Sequence, residues 1–209
     1  VGSALAYQAI PLQAAYCGAK FAVRGFTAAL RTELRHSGSR IQITMVQMPA
    51  LNTPQFDWCR TRLPGRPRPV APVFQPELAA RAIYWAARHR RRELLVGAST
   101  VAAVWGSRLI APLLDRYLAR TAYAAQTSSE PVAPDRPDNL WHTVPGDHGA
   151  HGRFSGQSRE RSIQLWLTTH RRGLAGAGLL GLAVAGITAY RARSGADDRG
   201  AGRGRGRRN

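Results

Sequence analysis

Lysine is almost missing from this 209-residue chain: Lys20 is the single one, and arginine supplies the other bases. Cysteine is scarce too, with Cys17 and Cys59 alone. Two cysteines with no Cys-x-x-Cys spacing exclude a disulfide-stapled secreted scaffold and read as free thiols in a reducing compartment. Acids number 12 against 30 Lys plus Arg, leaving +18. Such a balance points to nucleic acid or an anionic surface. The excess is spread, however, with +12 in residues 1–127, +1 in 128–190 and +5 in 191–209. No recognisable nucleic-acid-binding motif accompanies it. Val1 to Ile10 carries no charged leader and no long apolar run, so no signal peptide is expected. What is present is 44% hydrophobic residues, enough for a packed core and too many for a wholly disordered chain.

The pattern predicts alternating helices and strands. Val1 to Ala4 reads as a strand end running into a loop. Leu12 to Arg35 reads as a helix, with Ala15, Ala19, Ala22, Val23, Phe26, Leu30 and Leu34 at spacings of three and four. Gly38 provides its stop. Ile41 to Val46 alternates and is rich in β-branched residues, as a strand does, and Pro49 closes it. A proline- and arginine-rich loop covers 54–76, long enough to suggest function or motion. Pro76 to Arg92 reads as a second helix, with Pro76 and Glu77 at its favourable start. Glu93 to Gly97 reads as a short strand. That order predicts an α/β fold with a parallel sheet. Thr100 to Ala125 reads as a helical stretch broken near Pro112.

Lys20 stands out for a chemical reason. Tyr16 and Lys20 lie four apart on the first helix and so share one face. An unperturbed tyrosine ionises near a pH of about 10, too high for proton transfer at neutrality. A cation close by favours the phenolate, which makes a Tyr–Lys pair a candidate proton donor and acceptor. Ser3, at a strand end thirteen residues before Tyr16, brings a hydroxyl to the same region.

These residues, together with Arg31, Glu33-Leu34 and the strand leading to Pro49, make residues 1–97 resemble the short-chain dehydrogenase/reductase family. The resemblance implies the C-terminal half of a Rossmann-like doubly wound parallel sheet and an oxidoreductase that moves hydride between NAD or NADP and a small carbonyl or alcohol substrate. It implies Ser3, Tyr16 and Lys20 as catalytic residues, with Tyr16, Lys20, Pro49 and Thr53 at the cofactor. Ala50 stands where the family carries glycine after the proline. The 54–76 loop would cover the substrate, and Phe56, Trp58 and Phe74 read either as substrate-lining residues or as loop anchors. A homo-oligomer in the cytoplasm is a further expectation.

A glycine-rich dinucleotide turn between a strand and a helix is not found. Gly202, Gly204 and Gly206 lie in an arginine-rich tail, and Gly173 to Gly186 follows no strand. The expectation is therefore half of a catalytic domain (1–97), whose N-terminal half is absent and which turns over no substrate alone. A helical extension (98–125), a flexible linker (126–162), an apolar helix (163–190) and a disordered Gly/Arg tail (191–209) follow. Residues 173–190 are uncharged, would span about 27 Å as a helix, and have a mean hydropathy of roughly 1.6. They form a candidate membrane anchor, with small residues at every fourth position from Gly173 to Ala189. His142, Asp147, His148 and His151 read as surface groups and not as a metal site. The competing reading from another class is a basic protein that binds nucleic acid or a membrane surface through its arginine-rich tail.

Overall fold

The computed structural model describes residues 1–203, with side chains described to residue 185. The chain forms two units, Val1–Leu165 and Trp166–Asn209.

The first unit is built on a parallel sheet in the order β1 (Gly2–Ser3), β2 (Met45–Met48), β6 (Glu93–Leu95). Ser3 lies beside Met48, and Gln47 beside Leu95. All four residues of β2 are buried, as expected for a central parallel strand covered on both faces. The strand starts at Met45, four residues later than the sequence pattern predicts. Its partner begins only at Glu93, so Ile41 to Thr44 have no ladder to join, and Thr44 Oγ1 instead donates to Arg91 O.

Helix α1 (Ala14–His36) connects β1 to β2. It begins two residues after the predicted start because Leu12 has φ 68°, a left-handed conformation no right-handed helix accommodates. The predicted apolar stripe is not the buried one. Phe26 is 70% exposed, and Cys17 is the buried residue of α1 among those described. Arginines tie the helix down: Arg24 donates to Ala6 O and Arg31 to Ile43 O and Arg92 O.

Helix α2 (Pro76–Arg88) packs on β2. Leu78, Ala79, Ala82 and Ala86, at helical spacing, meet Val46, Met48, Leu94 and Val96 in the core. The helix stops at His89, whose ring stacks on Trp85 at 4.0 Å. Beyond β6 come α3 (Ala98–Leu109) and α4 (Ala111–Ala125), separated at Ile110, just before Pro112. Proline lacks the amide hydrogen a continuous helix needs, and its presence at the second position of a new helix is ordinary.

The remaining strands are short. β3 (Ala50–Leu51), β5 (Val73–Phe74) and β8 (Ser158–Arg159) form a second parallel sheet. β4 (Gly65–Pro67) pairs antiparallel with β7 (Thr127–Pro131). These pairings correct the expectation of a flexible linker at 126–162. That segment supplies β7 and β8 and is held to the 50–75 region by hydrogen bonds.

Helix α5 (Ile163–Arg203) starts in the first unit and makes up the described part of the second. In the second unit Trp166 stacks on His170 at 4.7 Å. No helix among the described residues is long and apolar enough to cross a membrane. The last five positions of the candidate anchor, 186–190, lie outside the described side chains, as does the whole Gly/Arg tail.

Candidate active site

The parallel sheet places the candidate residues at one edge. Ser3 ends β1, and Pro49 follows the last residue of the neighbouring β2. Because β1 and β2 run parallel, α1 must begin at the carboxyl edge and return to the other. Tyr16 is the third residue of α1, so it sits at that same carboxyl edge, where open α/β sheets bind their ligands.

Ser3 is buried, and its Oγ accepts from Leu5 N at 3.1 Å. It thereby caps the 3-10 turn Ala4–Ala6, which packs against α1. The capping bond uses an acceptor site on the hydroxyl and leaves its hydrogen available to donate. Lys20 Nζ lies 5.4 Å from the centroid of the Tyr16 ring, as their separation on one helical face requires. Tyr16 is 43% exposed. Thr53 leads into the 3-10 turn Pro54–Asp57 in an extended conformation, and its side chain makes no capping bond. Pro49 packs by Gly97, where a Cβ would lie 3.5 Å from Pro49 Cγ.

The aromatic residues of the 54–76 region divide. Phe74 is buried in the core. Phe56 meets Phe154 edge-on at 5.7 Å, and Trp58 meets the His148 ring at 4.2 Å. Arg136 donates to Phe56 O and Cys59 O, and Asn139 N to Trp58 O. Arg153 pairs with Asp57 and donates to Pro67 O. Residues 136–154 therefore form a strap over the loop. A cavity of about 470 Å³ lies between them, lined by Pro54, Trp58, Val144, His148 and Arg153 among others.

His148 Nε2 lies 3.1 Å from Val144 O, and His151 Nε2 lies 2.7 Å from Glu77 Oε1. The two rings thus have separate partners, and no metal-holding cluster occurs among the described residues. The backbone amide at its own helix start, helped by His151, lowers the pKa of Glu77 below the usual carboxylate value. Cys17 and Cys59 are free thiols.

Two features escaped the sequence reading. Asn52, beside Thr53, is fully buried and hydrogen-bonded through every polar group it has. Gln47, the polar residue of an otherwise apolar strand, is also fully buried. Its Nε2 donates to Glu93 Oε1 at 2.8 Å, and Tyr7 Oη donates to the same oxygen at 2.6 Å. Burial first, and then this bond, raises the Tyr7 pKa above the ordinary tyrosine value. A polar residue inside an apolar strand was a visible signal for Gln47; nothing local marked Asn52.

Residues 1–61 match the family model described as short chain dehydrogenase. Ser3, Tyr16, Lys20, Pro49 and Thr53 all fall within it. Over 193 residues the chain is 28% identical to a Bacillus subtilis (strain 168) protein named uncharacterized oxidoreductase YxnA. That alignment covers 92% of this chain and 52% of the relative, so the chain spans about half the relative's length. No solved structure matches.

Proposed function

We propose that this chain carries the proton-transfer half of a short-chain dehydrogenase/reductase active site acting on a small carbonyl or alcohol. The observation that carries the reading is the Tyr16–Lys20 pair at the carboxyl edge of the parallel sheet, with Ser3 ending the adjacent strand. In the reducing direction Tyr16 Oη donates its proton to the carbonyl oxygen, and in the oxidising direction it accepts the alcohol proton. Ser3 Oγ donates to the same substrate oxygen and steadies the charge that develops there. Lys20, 5.4 Å from the Tyr16 ring centroid, offers its ammonium to the ribose hydroxyls of the cofactor. Thr53 and Pro49 border the nicotinamide end. NAD or NADP, when bound, supplies or takes the hydride.

The residues present fit the nicotinamide and ribose end of such a cofactor. Support comes from Lys20 beside Tyr16, from Ser3 at the sheet edge and from Thr53, whose side chain makes no helix-capping bond. The test is turnover by the full natural protein with NADH and NADPH and a panel of aldehydes, ketones and alcohols. Tyr16→Phe is expected to lower kcat by about 10²- to 10⁴-fold. Undiminished turnover in Tyr16→Phe refutes the proposal. The 209-residue chain assayed alone is expected to show none. Salt-sensitive nucleic-acid binding that is lost on removing 191–209, in a protein without turnover, favours the competing reading.

A further inference from the structure

Asn52 presents an unusual concentration of hydrogen bonds one residue before Thr53. Its backbone N donates to Phe74 O at 2.8 Å, and its carbonyl accepts from Gly152 N at 3.1 Å. Its Nδ2 donates to Gln75 Oε1 at 3.0 Å and to Ser155 Oγ at 3.1 Å. Its Oδ1 accepts from Phe154 N at 2.9 Å, a backbone donor that fixes which end of the amide is oxygen. Asn52 itself is 0% exposed, so its own polar groups depend on these partners.

Three of the five bonds go to residues 152–155. Gly152 lies so close that a Cβ there would be 2.5 Å from Thr53 O and 2.9 Å from Asn52 Oδ1. Only a residue without a side chain lets the strap reach this backbone. Buried polar groups with all partners present hold one geometry, because each alternative leaves a donor or acceptor unpaired.

We propose that Asn52 is a positioning residue for the active site, and that residues 152–155 clamp it so that Thr53 is held where the nicotinamide end of the cofactor arrives. This rests on the reading that Thr53 faces the cofactor. It adds that a segment about a hundred residues further along the chain sets cofactor affinity without touching cofactor. Asn52 and Gly152 act through Thr53 and take no part in proton transfer.

The test measures the dissociation constant for NADH or NADPH, whichever the wild type binds, by nicotinamide fluorescence in the full natural protein. Thr53→Ala, Asn52→Ala and Gly152→Ala are each expected to weaken binding about tenfold. The Thr53→Ala/Gly152→Ala double variant is expected to bind no more weakly than the worse single one, because both changes act on one contact. A merely structural role lowers the melting temperature of Gly152→Ala and leaves affinity of the folded protein unchanged.

If Thr53→Ala has no effect, the reading of Thr53 fails and the clamp loses its target. If Thr53→Ala weakens binding while Asn52→Ala and Gly152→Ala do not, the clamp alone is overturned. Additive losses in the double variant overturn the route through Thr53. Should Asn52→Ala and Gly152→Ala fail to fold, Ser155→Ala decides. It removes one acceptor at an exposed residue and is expected to weaken binding about threefold; unchanged affinity there overturns the proposal.

Discussion

Replacing Arg136 with methionine tests how firmly the strap holds the 54–67 loop. The guanidinium donates to Phe56 O and to Cys59 O, both at 2.7 Å. Methionine keeps most of the apolar stem and removes the donors, so packing is largely preserved and two carbonyls lose their partner. Hydrogen bonds from a charged group contribute about 1.5–3 kcal/mol each. Arg136 is half-buried, so water replaces part of what is lost, and the pair falls below the low end for two such bonds, at about 2 kcal/mol. Opening of the loop then becomes about thirtyfold more frequent. Arg60 and Arg62 place trypsin sites in that loop, whereas Arg66 and Arg68 each precede a proline and are not cut. Cleavage there follows the open population when reclosing is fast, so initial cleavage is expected to accelerate by a similar factor. Arg136→Lys keeps a charge but not the planar fork that reaches two carbonyls and is expected to fall between. Cleavage of Arg136→Met at the wild-type rate refutes the account of residues 136–154 as a strap.

Three further outcomes follow from the geometry. Gly97 has φ 84° and ψ 143°, and a Cβ there would lie 3.2 Å from Phe74 Cε2. Gly97→Ala is therefore expected to cost about 2 kcal/mol, read as a lower urea midpoint, and an unchanged midpoint contradicts it. Leu94 is 1% exposed in the core, and Leu94→Ala is expected to cost about 3 kcal/mol in the same assay; a loss well below about 1 kcal/mol means the site collapses around the change. Tyr7 has a raised pKa, so its contribution is fully present below the ordinary tyrosine value and is lost as pH climbs through the folded value. The melting-temperature gap between wild type and Tyr7→Phe should then hold constant up to about pH 10 and narrow above it. A constant gap rules out Tyr7 as the titrating group.

The elements that positioned the site were legible because each announces itself locally. Helical spacing of Leu78, Ala82 and Ala86 marks α2, and the run Met45-Val46 with its β-branched approach marks β2. Tyr16 and Lys20 could be paired from their spacing, since one helical turn fixes that relation whatever else the chain does. Boundaries were less legible, because they depend on partners. β2 begins where Glu93 becomes available, and α1 begins where Leu12 leaves the left-handed region.

Residues 126–162 were misread for a different reason. Their composition is polar and rich in proline and glycine, which resembles a linker. What orders them is a series of individual long-range bonds, from Arg136, Asn139, Gly152, Arg153 and Phe154, and none of these follows a period. Periodicity detects a face that packs, not a backbone that is pinned at isolated points. The same limit hid Asn52, whose importance lies wholly in residues distant in sequence.

The clamp at Asn52 also has a bearing on the order in which the molecule is made. The bond from Phe154 to Asn52 joins residues 102 apart, and such contacts form late because loop closure must precede any reward from them. A chain emerging from the ribosome can complete the Ser3, Tyr16 and Lys20 region and the β2–α2 core while the loop beyond Thr53 still lacks its restraint. That loop matures only after Ser155 has been synthesised and has returned to it. Its restraint is thus completed only after residue 155 has been made, and a chain cut short before residue 152 would keep Ser3, Tyr16 and Lys20 and lose the bonds that tie Gly152, Phe154 and Ser155 to Asn52.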